Sequence, residues 1–118
     1  MTSPLEKLLA ERDWLLADGA TGTNLFQAGL QSGDSPELWN EMFPDRVLNL
    51  YQSAVDSGSD VFLTNTFGCN AARLKLHDAD KKVFKLNKIS AELGREIADR
   101  SAETVIVAGS IGPTGEIF

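Results

Sequence analysis

Between Pro44 and Ser57 the apolar residues Val47, Leu48, Tyr51 and Val55 recur at three- and four-residue spacings, and Gly58 follows where a helix would end. That spacing predicts an amphipathic helix with a glycine at its C-terminal side. A second such face, Val83, Leu86, Leu93 and Ile97, runs between Asp80 and Arg100 with the lysines mostly opposite it. Three short continuous apolar runs have a different character: Trp14 to Ala17, Val61 to Thr64 and Thr104 to Ala108. Each is too short for a helix, and the last two are rich in β-branched or aromatic residues, so all three read as buried strands. Ser3-Pro4-Leu5-Glu6 opens a short helix to about Arg12, with serine as N-cap, proline at the first helical position and glutamate completing a capping box. Asn70 is placed to cap another short helix through Leu76.

The order is therefore strand, helix, strand, helix, strand, with connections long enough for crossovers and no hairpin turns. Such alternation predicts an α/β fold with a parallel sheet covered by helices. No internal repeat or low-complexity segment interrupts it. Parallel strands all end at one edge, so three distant segments converge there: Asp18-Gly-Ala-Thr-Gly-Thr-Asn24, Thr64-Asn-Thr-Phe-Gly68 and Gly109-Ser-Ile-Gly-Pro-Thr-Gly-Glu116. Ligands of α/β proteins bind at that edge, and Gly, Thr, Asn and Ser supply close backbone approach and hydrogen-bonding partners there.

Composition narrows the function classes. The chain has 118 residues, 42% of them apolar and 24% charged, enough to build a core. Seventeen acids against eleven bases give a net charge of −6, the wrong sign for holding nucleic acid through its phosphates. The basic residues concentrate in Arg73, Lys75, Lys81, Lys82, Lys85 and Lys88, which read as a solvated helix face, with a docking patch for an anionic ligand as the alternative. No apolar run approaches the ~18 residues of a membrane span. The N-terminus has neither a basic n-region nor an apolar h-region, and a single cysteine, Cys69, fits a reducing compartment, so a cytoplasmic location is expected.

Asp18, at the mouth of the first strand, has two readings. It either caps its own turn or the short helix carrying Leu25 and Phe26, or it receives a substrate ammonium group through a charge-assisted hydrogen bond. Three other signatures fail. Gly19 and Gly22 lack the remaining glycines of a dinucleotide fingerprint, and no phosphate-binding G-x-x-x-x-G-K-S/T loop is present. The phrase around Asp18 is similar to the D-x-D-G-T loop of haloacid dehalogenase-like phosphatases, but Leu16 stands where their nucleophile would be. His77 reads as an exposed loop residue, Cys69 as a small buried hydrophobe, and Trp14, Trp39 and Phe43 as packing residues.

Taken together, Asp18-Gly-Ala-Thr-Gly-Thr, Glu37-Leu-Trp-Asn40, Thr64-Asn-Thr-Phe-Gly68 and Gly109-Ser-Ile-Gly-Pro-Thr-Gly-Glu116 resemble, in order and spacing, the start of the homocysteine S-methyltransferase family. The resemblance implies a (β/α)8 TIM barrel in which a zinc-activated homocysteine thiolate attacks a methyl donor to give methionine. Residue by residue, it implies that Asp18 holds the substrate amino group, with Gly19 beside it. Phe67 and Gly68 would offer backbone N–H groups to the substrate carboxylate, and Thr64 would line the pocket.

The family's zinc ligands are three cysteines, one in an Asn-Cys segment and two in a Gly-Gly-Cys-Cys segment, and Cys69 matches none of them. The resemblance thus places the metal site outside this chain and leaves the donor open between betaine, S-methylmethionine and methyltetrahydrofolate acting through cobalamin. Residues 1–118 would be a truncated N-terminal segment of the barrel, about three β/α units. It would need the missing C-terminal part or another copy of itself, and would be inactive alone. The alternatives are a small stand-alone α/β module that oligomerises and binds an amino acid or anion, and a phosphate-ligand enzyme using the glycine loops as an anion nest.

Overall fold

Ser3 and Glu6 form the expected capping box in the computed structural model, which describes residues 2–116. The Ser3 N–H donates to Glu6 Oε2 at 2.8 Å and the Glu6 N–H to Ser3 Oγ at 3.2 Å, starting α1, Pro4–Glu11. The chain then runs extended to Ala17 and turns into α2, Thr21–Gln27. A 3-10 turn, Pro36–Leu38, leads into the short α3, Trp39–Met42, and then α4, Pro44–Asp56. Gly58 takes a φ of 95° after α4, and Ser59 N–H returns to the carbonyl of Ala54, as the predicted glycine stop requires.

Strand β1, Val61–Leu63, is followed by α5, Ala71–Leu74, which Asn70 caps by accepting the Arg73 N–H at 2.9 Å. This helix ends two residues short of the expected Leu76, continuing as a 3-10 turn over Lys75–His77. The long helix α6 spans Val83–Arg100, with Asp80–Lys82 forming a 3-10 turn before it, and β2 is Ile106–Ala108. None of the described helices is long and apolar enough to cross a membrane.

β1 and β2 pair in parallel with Val61 opposite Ile106 and Leu63 opposite Ala108. The segment expected as the first strand is not a full strand. It makes one parallel bridge, Ala17 to Val61, on the other side of β1. Its attachment comes largely from Asp60: the Asp60 and Val61 amides donate to the Leu16 carbonyl, while the Asp60 carboxylate accepts the Leu16 amide and pairs with Arg12. Trp14 is 71% exposed and does not pack, contrary to the sequence expectation, because the extended segment lies at the rim of the sheet. The third expected strand is also shorter, since Thr104 and Val105 stand outside the ladder.

The main core joins Leu25, Leu30, Trp39, Val47, Tyr51, Phe62, Ile97 and Val105. Tyr51 stacks on Phe62 at 4.9 Å between ring centroids, locking α4 to β1. Helix α6 approaches the sheet at Gly94, where a Cβ would meet Val107 Cγ1 at 2.8 Å. Trp39 is buried as expected, and Phe43, more exposed, meets its edge with the Arg46 guanidinium over both rings. A second cluster of Cys69, Leu74, Ala79 and Leu86 lies under α5. The basic face of α6 is solvated and partly neutralised, as Lys82 and Lys85 both pair with Glu41 and Lys88 with Glu92.

Candidate functional site

The two turns that follow β1 and β2 meet through hydrogen bonds of their own residues. Thr64 N–H donates to the carbonyl of Ala108 at 2.9 Å and Thr66 Oγ1 donates to the carbonyl of Ser110 at 2.8 Å. The Thr64 and Thr66 hydroxyls lie 2.7 Å apart, and Ser110 N–H donates to Thr64 Oγ1 at 3.3 Å. Gly112 passes so close to the Phe67 carbonyl that a Cβ there would overlap it, which explains why this position is glycine. The third edge segment is therefore folded back against the second.

These turns enclose a cleft of about 300 Å³ lined by the end of β1 at Leu63 and by residues from all three edge segments: Thr21 and Gly22 from the first, Thr64, Thr66 and Phe67 from the second, and Ser110 from the third. Pro36 and Glu37 close it from the 3-10 turn. Phe67 is 57% exposed, and its main-chain N–H meets no other described residue. A larger groove of about 690 Å³ flanks β2 between the start of α1 and the end of α6, but it holds none of the edge turns.

The five residues singled out from the sequence do not all share the cleft. Thr64 and Phe67 line it, whereas Asp18 and Gly19 line a neighbouring cavity of about 180 Å³ with Asn24, Ser53 and Ser59. Asp18 caps no helix, since the residue before α2 is Ala20 in a left-handed conformation with no side-chain cap. Its Oδ1 accepts the Leu63 N–H instead, at 3.2 Å. Burial pushes the Asp18 carboxyl above the usual aspartate range, partly opposed by main-chain N–H donors of Leu63 and of Asp18 itself. Gly68 N–H donates to Glu37 Oε1 at 2.7 Å.

Beneath the second turn lies a polar layer that sequence patterning does not reveal. Asn65 N–H donates to Tyr51 Oη at 2.6 Å and to Ser90 Oγ at 3.0 Å, and the two hydroxyls bond each other. Asn65 Nδ2 donates to Asn40 Oδ1 and to the Pro36 carbonyl, and Asn40 Nδ2 donates back to the Asn65 carbonyl. Burial raises the Tyr51 hydroxyl above its ordinary range, with its bonds to Ser90 and Asn65 opposing, so it serves as a neutral partner. The sequence carries only a slight signal for this layer, with Asn40 and Glu37 marked solely by the Glu37-Leu-Trp-Asn40 block.

Cys69 is buried, its thiol pushed up to about 11 mainly by desolvation and further by the Glu37 charge. That is the opposite of a reactive or metal-bound thiolate. His77 is exposed on its 3-10 turn. No three His, Cys, Asp or Glu side chains converge on a possible metal position among the described residues.

Comparison with known proteins bears on the same region. The sequence profile of the homocysteine S-methyltransferase family matches residues 15–118. The chain is 33% identical to the methionine synthase of Mycobacterium leprae over 92% of its own length and 10% of the relative's. It is 30% identical to the homocysteine S-methyltransferase of Escherichia coli, covering 96% of this chain and 39% of that one. Crystal structures of the homocysteine methyltransferase MmuM from Escherichia coli superpose with TM-scores of 0.82 for the metallated form and 0.80 for the oxidised form, each at 29% identity and over 42% of the MmuM chain. The chain thus spans well under half the length of the relatives it matches.

Proposed function

The chain belongs to the homocysteine S-methyltransferase family, and from that premise we propose that it takes part in methyl transfer to the thiol of homocysteine, giving methionine. Residues 1–118 supply, in this reading, the first three β/α units of a (β/α)8 barrel, and further barrel segments complete the site. The observation that carries the reading is the cleft in which Thr64 and Phe67 meet the first and third edge segments, within a fold that overlays a homocysteine methyltransferase.

An amino-acid zwitterion needs one anion and at least one main-chain donor, placed a few ångströms apart. Asp18 receives the ammonium group and is tied to the end of β1 through Leu63, with Gly19 beside it. The Phe67 N–H meets the carboxylate, and Thr64 lines the pocket with its hydroxyl held by Thr66 and Ser110. In this reading the Gly68 amide serves Glu37, and a Cβ there would stand 2.9 Å from Glu37 Oε1. The residues of this chain do not fit the zinc that the resemblance implies, because the one cysteine is a buried neutral thiol and no ligand cluster accompanies it among the described residues. No step assigned to this chain runs through the metal.

Homocysteine titrated into the ¹⁵N-labelled protein should shift the amide signals of Thr64 and Phe67, and Asp18→Ala should weaken the binding about tenfold or more. Binding unaffected by Asp18→Ala, or shifts confined to the groove beside β2, would overturn the assignment. Methionine formation with S-methylmethionine, betaine, or methyltetrahydrofolate plus cobalamin identifies the donor once the remaining barrel segments are supplied.

A further inference from the structure

Among the described residues Glu37 is the one charged side chain lining the cleft, and it is only 6% exposed. A buried carboxylate is costly unless donors compensate it. Here Oε1 accepts the Gly68 N–H at 2.7 Å and Oε2 accepts the Ser35 hydroxyl at 3.0 Å. The same short stretch holds the other end of the turn, since the Pro36 carbonyl accepts Asn65 Nδ2 at 2.8 Å and Asn40 exchanges two hydrogen bonds with Asn65. Residues 35–40 therefore splint the Thr64–Gly68 turn at both ends, and Phe67 stands between the two anchors with its N–H unengaged among the described residues.

We infer that Glu37 is a positioning residue: by binding the Gly68 amide it sets the Phe67–Gly68 peptide, and so holds the Phe67 N–H at the cleft as a donor for a ligand carboxylate. The inference rests on the proposed homocysteine reading for the identity of the ligand, but the splint itself does not. A charge acting by position has a distinctive consequence. The Glu37 anion and a substrate carboxylate repel, so Glu37 serves the ligand through the turn's geometry and not through its charge. An uncharged acceptor of the same shape should do as well.

Glu37→Gln keeps an acceptor oxygen for Gly68, whereas Glu37→Ala removes it. The test measures amide hydrogen exchange at Gly68 and affinity for homocysteine in both variants and the unmodified chain. 3-Aminopropane-1-thiol, which lacks the carboxylate, serves as control ligand. Exchange at Gly68 is expected to quicken about ten- to hundredfold in Glu37→Ala, and to stay within about threefold in Glu37→Gln. Homocysteine affinity should fall about tenfold in Glu37→Ala and be kept or improved in Glu37→Gln, with the control ligand indifferent to both.

Equal loss of homocysteine affinity in the two variants means the charge itself contacts the ligand, and Gly68 exchange unmoved by Glu37→Ala means there is no splint; either result overturns the inference. If Glu37→Ala does not fold, Ser35→Ala takes its place, with a change of about threefold in the same direction supporting and no change overturning. Homocysteine ignored even when the remaining barrel segments are supplied overturns the functional reading, while the exchange comparison still decides the splint.

Discussion

The main-chain N–H of Leu63 donates to Oδ1 of Asp18 at 3.2 Å, so the carboxylate proposed to receive a substrate ammonium also ties the first edge turn to the end of β1. Burial is the largest influence on this carboxyl and raises its pKa above the ordinary aspartate value of 3.8, against the lowering effect of two main-chain donors. An acid with a raised folded-state pKa is a liability once ionised. The native state binds the proton more tightly than the unfolded chain, so stability falls as pH rises from 3.8 through the folded value.

Asp18→Asn keeps an oxygen for Leu63 and removes the charge. The variant should melt above the unmodified protein at neutral pH, and the difference should shrink toward zero as pH is lowered below about 4, where both states of Asp18 are protonated. Ligand binding should move the other way, since the anion for the ammonium is gone. Melting curves from pH 3 to 8 check the first part, and a gap that stays constant across that range would count against it.

Tyr51→Phe removes a hydroxyl that accepts the Asn65 amide and bonds Ser90 in the interior. Ser90 Oγ still reaches the Asn65 N–H at 3.0 Å, so the amide is not orphaned and the loss should be about 1–2 kcal/mol in urea denaturation. Adding Ser90→Ala should cost more than the sum of the single changes, because only then does the buried N–H lose every partner.

Gly94→Ala sets two effects against each other. Alanine gains about 1 kcal/mol of helix propensity, but its Cβ would meet Val107 Cγ1 at 2.8 Å and Phe62 Cε2 at 3.4 Å. Overpacking of about 1–3 kcal/mol should win, as valine is stiff at its first side-chain torsion. The variant is expected to be less stable by about 1 kcal/mol, and in a Val107→Ala background the same change should become neutral or stabilising.

Ala20 has a φ of 56°, in the left-handed region, immediately before α2. A side chain there costs about 1–2 kcal/mol, but part of the gain from removing it is offset because glycine gives the unfolded chain more conformational entropy to lose. Ala20→Gly should therefore raise stability by up to about 1 kcal/mol, measured by thermal or urea unfolding.

Local chemistry was enough to read much of this chain. Ser3 with Glu6, Asn70 and Gly58 mark helix ends through bonds within a few residues of themselves, and they act where the spacing placed them. The faces of α4 and α6 follow from periodicity, which placed Val47, Tyr51, Leu86 and Ile97 inside. Strand and helix order predicted a parallel sheet with its turns on one edge, and the blocks around Asp18, Thr64 and Gly109 carried the resemblance to a family that the comparisons support.

The rest depends on partners distant in sequence. Trp14 looked like core, but burial requires a neighbour over the extended segment, and the sheet ends there among the described residues. The Gly68 amide meets Glu37, 31 residues away, only because the 3-10 turn docks there. Asn40, Asn65, Tyr51 and Ser90 are ordinary polar residues in sequence, and only the packing of α3, α4 and α6 around β1 turns them into one network. Periodicity reports which side of an element faces inward. Which buried donor meets which acceptor is set by how the elements dock, so the elements and their ends belong to the sequence alone and the wiring of the cleft belongs to the tertiary structure.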